Sequence, residues 1–243
     1  MQIDDFWALI EESGRQTATR AERTAWLEER LSDRSAGDIA DFQWHLDGLR
    51  DLVDSFHMWG AASLILDGFC SDDGFWYFQC WLIGLGRETF ARVAGDPDEL
   101  AEVPAVRALA GRRTGEWGDE EWLEWESLDY VADHAHAQVT GVEGKLDEEL
   151  EARAALTEGT AESRPAVCRS SPQPSDAIWD FGDRAEQERR YPRLASYFRR
   201  TGHSESGREA PTGMARTAPD GISAASATPP RGGRTASRPS TRA

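Results

Sequence analysis

Residues 58–90 read MWGAASLILDGFCSDDGFWYFQCWLIGLGRETF, the longest apolar passage of the chain. Two apolar runs flank the polar turn CSDDG at residues 70–74, a pattern that predicts two buried helices hinged there. Residues 58–66 form the first, and Gly68 is placed as the left-handed residue that ends it. Ser71 caps the second, with Asp72 and Asp73 in its first turn, where each carboxylate is worth about 0.3–1 kcal/mol against the helix dipole. Phe75, Trp76, Phe78, Trp81, Leu82, Ile83 and Leu85 surround that helix almost completely, so it belongs at the centre of the fold.

Helical spacing extends in both directions from this passage. Upstream, Asp4 or Asp5 caps a short helix with Phe6, Trp7 and Ile10 on its apolar face, expected to pack as a lid. Residues 19–31 make a second helix, with Arg20, Glu22, Arg23, Glu28, Glu29 and Arg30 on its wet side. Ile39, Phe42, Leu46, Leu49, Val53 and Phe56 then recur at spacings of three and four, and Asp41, Asp47, Asp51 and Asp54 take the opposite face. Downstream, residues 87–94 give a short helix, Pro97 and Pro104 begin further helical pieces, and residues 111–118 make a polar, Gly-rich connection. A helix over 127–139 ended by Gly141 and another over 143–156 follow. Asp183 caps a helix at 184–190, and residues 191–198 close with a turn or two.

Alternating β-branched runs are absent. The fold class is therefore all-α: one globular domain of about eight helices around a central buried helical hairpin. Residues 1–156 form the helical domain, 157–175 a flexible linker rich in Ser, Pro, Ala and Glu, and 176–198 a C-terminal helical segment packing on the same domain. Of the 45 residues from 199 to 243, 39 are Arg, Ala, Ser, Thr, Gly or Pro. Such a composition buries too little apolar surface to offset chain entropy, which predicts a disordered basic tail.

Charge is distributed unevenly. The last 45 residues hold eight Arg against Glu205, Glu209 and Asp220, so a net charge of −17 leaves about −22 on residues 1–198. A folded part this acidic repels phosphate backbones and argues against nucleic acid as a partner. Basic proteins, cationic ligands and divalent metals suit it better. Lys145 is the single lysine among 27 basic residues, a bias of GC-rich, actinobacterial-like genomes. Cys70, Cys80 and Cys168 show no zinc spacing, the segment MQIDDFWALIEES is acidic where a signal peptide is basic, and no run of about eighteen apolar residues exists. A cytoplasmic, non-membrane protein with free thiols is expected.

Ser71-Asp72-Asp73-Gly74-Phe75, followed by Phe78, Trp81-Leu82-Ile83 with Gly86, Phe90 and Pro97-Asp98 with Leu100, resembles the hallmark of the bacterial family known as domain of unknown function 4240. Asp5-Phe6-Trp7 with Ile10, and Trp179-Asp180-Phe181 with Arg190, Pro192 and Leu194, are similar to that family's ends. The resemblance spans about residues 3–198 and implies a mainly helical bacterial domain without an assigned activity.

Candidate sites are few. Asp67, Asp72 and Asp73 flank one turn, where they either hold a divalent cation such as Mg²⁺, or serve acid-base chemistry, or cap two helices. Caps account for all of them at ordinary energies. Asp129, Asp133 and His136 fall at i, i+4 and i+7 on one helix face, a weaker metal candidate better read as a solvated face. Cys70 lies near a dipole-positive helix start and is the one thiol with an argument for a lowered pKa; Cys80 reads as core. Trp117, Trp122 and Trp125 cannot share one narrow stripe, so with Glu120 and Glu121 they form the best binding-surface candidate. No phosphate loop, nucleophile elbow or zinc-finger spacing appears, and no cofactor is predicted beyond a divalent cation. An acidic interaction or regulatory module binding a basic protein, in one form an immunity protein, is the expected function, with a metal protein or enzyme using Asp67, Asp72 and Asp73 as the alternative.

Overall fold

Side chains that cap backbone N–H groups start the helices where Ser, Thr or Asp precedes an apolar run. In the computed structural model, which describes residues 1–156, 169, 171–174 and 176–198, α1 spans Ile3–Gln16 and α2 spans Arg20–Ser32. Thr19 accepts from the Glu22 N–H at 3.2 Å to begin α2. Ser35 does the same for α3 (Ala36–Val53), Ser55 for α4 (Phe56–Ile65) and Ser71 for α5 (Asp72–Gly84), each at 3.0–3.1 Å. Next come α6 (Arg87–Gly95), α7 (Pro104–Ala108), α8 (Val131–Thr140) and α9 (Lys145–Leu156). Asp183 caps α10 (Arg184–Arg190), and α11 (Pro192–Tyr197) begins on proline. Short 3₁₀ turns occupy Pro97–Glu102, Thr114–Glu116, Asp119–Glu121 and Glu126–Tyr130. Among the described residues there is no strand, so the all-α class holds, with eleven α-helices where about eight were expected. The linker expected at 157–175 lies outside the described residues except for 169 and 171–174, and the tail expected at 199–243 lies outside them entirely.

The central passage folds as two helices, and the turn between them is tighter than glycine alone requires. Gly68 adopts φ +89°, as its position predicts, and Asp67 before it also sits at φ 58°. That left-handed conformation is uncommon for a side-chain-bearing residue. Here the Asp67 carboxylate accepts from both the N–H and the hydroxyl of Thr114 at 3.2 Å, which holds the turn against the connection before α8. Although α4 and α5 meet through stacked Trp59 and Phe75, with centroids 4.8 Å apart, each packs more extensively elsewhere. Helix α4 lies on the Pro97–Glu102 turn and α11, whereas α5 lies on α3 and the Glu126–Tyr130 turn. Phe75, Phe78, Leu82 and Ile83 of α5 are fully buried, as a central helix requires.

Three expectations are corrected. Helix α1 is a core element and not a short lid: it has 14 residues, Phe6 and Ile10 are fully buried, and Phe6 packs on Phe42 of α3 with centroids 4.8 Å apart. Arg23 leaves the wet side of α2. It donates to the carbonyls of Ile10 (3.1 Å) and Gly84 (3.0 Å) and lies 4.3 Å over the Trp125 ring. The helix expected over 127–139 starts as a 3₁₀ turn and becomes α-helical at Val131, because the Trp125 N–H is tied to the Tyr77 carbonyl of α5 at 3.0 Å.

Residues 176–198 pack against α4 through a notch. A Cβ on Gly60 would stand 2.2 Å from the Trp179 ring and 2.8 Å from the Tyr191 hydroxyl, so only glycine admits them. Tyr191 donates its hydroxyl to the His57 carbonyl, and the buried Asp98 carboxylate accepts from the N–H groups of Arg193 and Leu194 at 2.9–3.1 Å.

Candidate functional site

The turn between α4 and α5 sets the first candidate. Ser71 is fully used as a cap, Asp72 and Asp73 project into solvent from the first turn of α5, and Asp67 is engaged by Thr114. Among the described residues, no three His, Cys, Asp or Glu side chains are disposed to hold one metal ion. The neighbouring thiol is not activated: burial pushes the Cys70 pKa up to about 12, with Asp72 and Glu124 adding to the rise. The same turn instead forms one wall of a groove of about 410 Å³ whose other wall is Thr114, Trp122, Leu123 and Glu124. Phe69 stands at its edge, 77% exposed.

The tryptophan-rich passage divides between core and groove. Trp117 and Trp125 are buried, and Trp122 packs edge-on against Trp117 at 5.3 Å while remaining half-buried at the groove. A Cβ on Gly84 would meet the Trp125 ring at 2.7 Å, so that glycine is the slot into which the indole fits. Two acids of the passage are paired within the chain. Glu121 forms a two-pronged contact with Arg112, which holds its carboxyl down near 2, and Glu120 pairs with Arg20 at 3.3 Å. The passage thus presents one tryptophan, Trp122, rather than three.

The third candidate set is split. Asp129 and Asp133 line a common cavity, whereas His136 is buried behind them with its Nε2 3.3 Å from Glu149 of α9. That cavity, of about 360 Å³, lies beside α3 and is also lined by Gln43, Asp47, Arg50, Trp76, Tyr77 and Leu150. Its chemistry centres on Arg50, which is 1% exposed. The guanidinium lies 4.1 Å over the Trp76 ring, donates to Cys80 Sγ at 2.7 Å and pairs with Asp129. Trp76 Nε1 donates to the second oxygen of Asp129 at 2.8 Å. Asp47 accepts from Gln43 at 2.9 Å and stands 3.8 Å from Arg50, and burial pushes its carboxyl up to about 7.

This cluster escapes the sequence reading, and it corrects the placement of Asp47 and Asp54 on an outer face, since they are only 6% and 7% exposed. Asp54 accepts from Arg169 at 2.9 Å and from the Gln173 N–H at 2.8 Å. A signal was present: Gln43, Leu46, Arg50 and Val53 are spaced three, four and three, so Gln43 and Arg50 fall on the same helical stripe as the apolar residues. An arginine in that stripe points to a buried partner, though not to which one.

Comparison with known proteins gives one match. The family model described as Protein of unknown function (DUF4240) matches residues 1–138. No curated protein and no solved structure matches the chain. Among the described residues, no helix is long and apolar enough to cross a membrane.

Proposed function

From the premise that the chain belongs to the family described as Protein of unknown function (DUF4240), a description that names no activity, we propose on its surface chemistry that it is an acidic interaction module that binds a basic region of another protein. The groove beside the α4–α5 turn carries this reading. It offers an exposed aromatic, Phe69, beside half-buried Trp122, with carboxylates of Asp67 and Glu124 on its walls and Asp72 and Asp73 next to it. An apolar anchor within a carboxylate rim suits a partner residue flanked by Arg or Lys. Burial of the aromatics supplies affinity, while the charges steer encounter and set register. The charge of about −22 on residues 1–198 extends that steering and disfavours nucleic acid. A basic toxin or nuclease blocked in this way is the immunity-like case. Free thiols at Cys70 and Cys80 fit a reducing compartment such as the cytoplasm.

The test uses the full chain, its Phe69→Ser variant and its Asp72→Asn/Asp73→Asn variant as baits in an extract of the host. A partner held by the wild type, released by salt and lost with Phe69→Ser at unchanged melting temperature is the expected result. Identical capture by all three proteins, or capture indifferent to salt, would overturn it. Metal content measured on the same samples addresses the alternative reading, in which Asp67, Asp72 and Asp73 hold a divalent cation. Metal bound by the wild type and lost from the Asn variant would favour that alternative.

A further inference from the structure

Residues 176–198 are seated on α4 as a ligand is seated on a receptor. Among the described residues, every backbone-to-backbone hydrogen bond of this segment closes within it, and each hydrogen bond to the rest of the chain uses a side chain. The Asp176 carboxylate accepts from the N–H groups of Phe56 and His57 at the start of α4, at 2.6 and 3.1 Å. Trp179 and Tyr191 fill the notch at Gly60, and Trp179 Nε1 donates to the Phe56 carbonyl at 3.2 Å. Arg193 spreads its guanidinium over Asp96, Asp98 and Glu99 at 2.7–3.0 Å, with Arg92 sharing Glu99 at 3.2 Å. The seat is nevertheless loosely filled. Helix α10 buries no residue, and a cavity of about 300 Å³ separates Leu64 and Gly68 from Phe181, Gln187, Ala195 and Phe198. Protein interiors leave few voids larger than a water molecule, so this contact is not packed as a core is. The pairs of Arg193 with Asp96 and Glu99 also stay partly in water, where ion pairs are weak.

We propose that the face made by α4 and the Pro97–Glu102 turn is a recognition site for a Tyr-Pro-Arg segment of another protein, and that residues 176–198 are its tethered resident occupant. The resident defines the chemistry. An aromatic ring fits the notch that Gly60 leaves open. Pro192 has no N–H, so the Asp98 carboxylate is met by the N–H groups of Arg193 and Leu194, at 2.9–3.1 Å. An arginine spans three carboxylates where a lysine, as a point charge, holds fewer, and an acidic segment is repelled. The Gln173 N–H donates to Asp54 at 2.8 Å, which keeps the chain just ahead of the segment on α3. A released segment therefore stays at a local concentration on the order of millimolar, and a partner binds only by outcompeting it. Neither Gly60 nor Asp98 lines the Phe69 groove, so this site stands or falls without that one.

Fluorescence anisotropy with a labelled synthetic peptide of residues 176–198 tests the proposal on the full chain. Arg193→Ala in the chain, at a side chain 38% exposed, loosens the resident segment and should bind the peptide about tenfold or more tighter than the wild type does. A peptide that itself carries Arg193→Ala should bind that variant about tenfold weaker, the scale of one lost charge-assisted contact. No saturable binding to the folded variant, equal affinity of variant and wild type, or equal affinity of the two peptides would each overturn it. Tyr191→Phe removes only the hydroxyl bond to the His57 carbonyl and loosens the segment in a second way, so it decides if Arg193→Ala fails to fold. Light scattering that finds a wild-type dimer, lost in Arg193→Ala, would overturn the assignment to another protein and give the seat to a second copy.

Discussion

Residues 43–50 of α3 and the passage at 117–125 mix charge with apolar or aromatic bulk, and they resolve it in opposite ways. In the passage, Trp117 and Trp125 go inward and the acids stay toward the surface, where Arg20 pairs with Glu120 and Arg112 with Glu121. In α3, Asp47 and Arg50 go inward, where Trp76 and Asp129 hold Arg50 and Gln43 donates to Asp47. Surface pairing is weak because water screens it, so the passage depends on indole burial. A buried guanidinium is different: once desolvated, it depends on every partner it has. The same residue types therefore serve as scaffold in one region and as a polar centre in the other.

The contrast can be broken most severely at Arg50. Arg50→Leu strips the counter-charge from Asp129 and Asp47 and should cost about 3–5 kcal/mol, read by denaturant unfolding. A loss under 1 kcal/mol would mean that the cluster is wetter than its burial indicates.

Asp47 gives the next largest effect, and its sign is opposite to that of a salt-bridged acid. The folded carboxyl keeps its proton up to about 7, against an ordinary value of 3.8. Between those values the folded carboxyl binds more proton than the unfolded one, so the contribution of Asp47 to stability is fully present below pH 4 and is lost as pH rises toward 7. Asp47→Asn removes the dependence. Melting curves should show the variant matching the wild type at pH 4 and exceeding it at pH 8, by on the order of 2–4 kcal/mol. A variant that is less stable than the wild type at pH 8 would show that Arg50 holds Asp47 charged.

On the other side of the comparison, Gly84→Ala pushes a methyl to 2.7 Å from the Trp125 ring and should cost about 1–3 kcal/mol, with a shift in tryptophan emission. Phe69→Ser is the smallest. At 77% exposure it should change stability by less than about 0.5 kcal/mol, which is what makes it a clean probe of partner binding.

Much of the fold was legible because its signals are local. Ser71 and Asp183 act as caps within three residues of their partners, and Gly68 and Gly141 take the left-handed conformations that end α4 and α8. The candidate sites were legible only in part. Trp122 and the α4–α5 turn were both singled out, but nothing in their spacing places them on two walls of one groove. Arg50 was overlooked because Asp129 is 79 residues away and Trp76 is 26.

By itself the sequence determined an all-α chain with α5 at its centre, strongly acidic before its basic end and bearing the marks of its family. Those properties follow from 3.6-residue periodicity, from caps that act over one turn and from the sum of charges. Tertiary structure alone decided that α1 is core, that Arg23 and Arg50 turn inward, that two of the three tryptophans at 117–125 are buried and that Asp47 shares a cavity with Asp133. The physical reason is that burying a charge or an indole is favourable only against a specific partner or slot, such as Asp129 or Gly84, and those partners are supplied by distant parts of the chain.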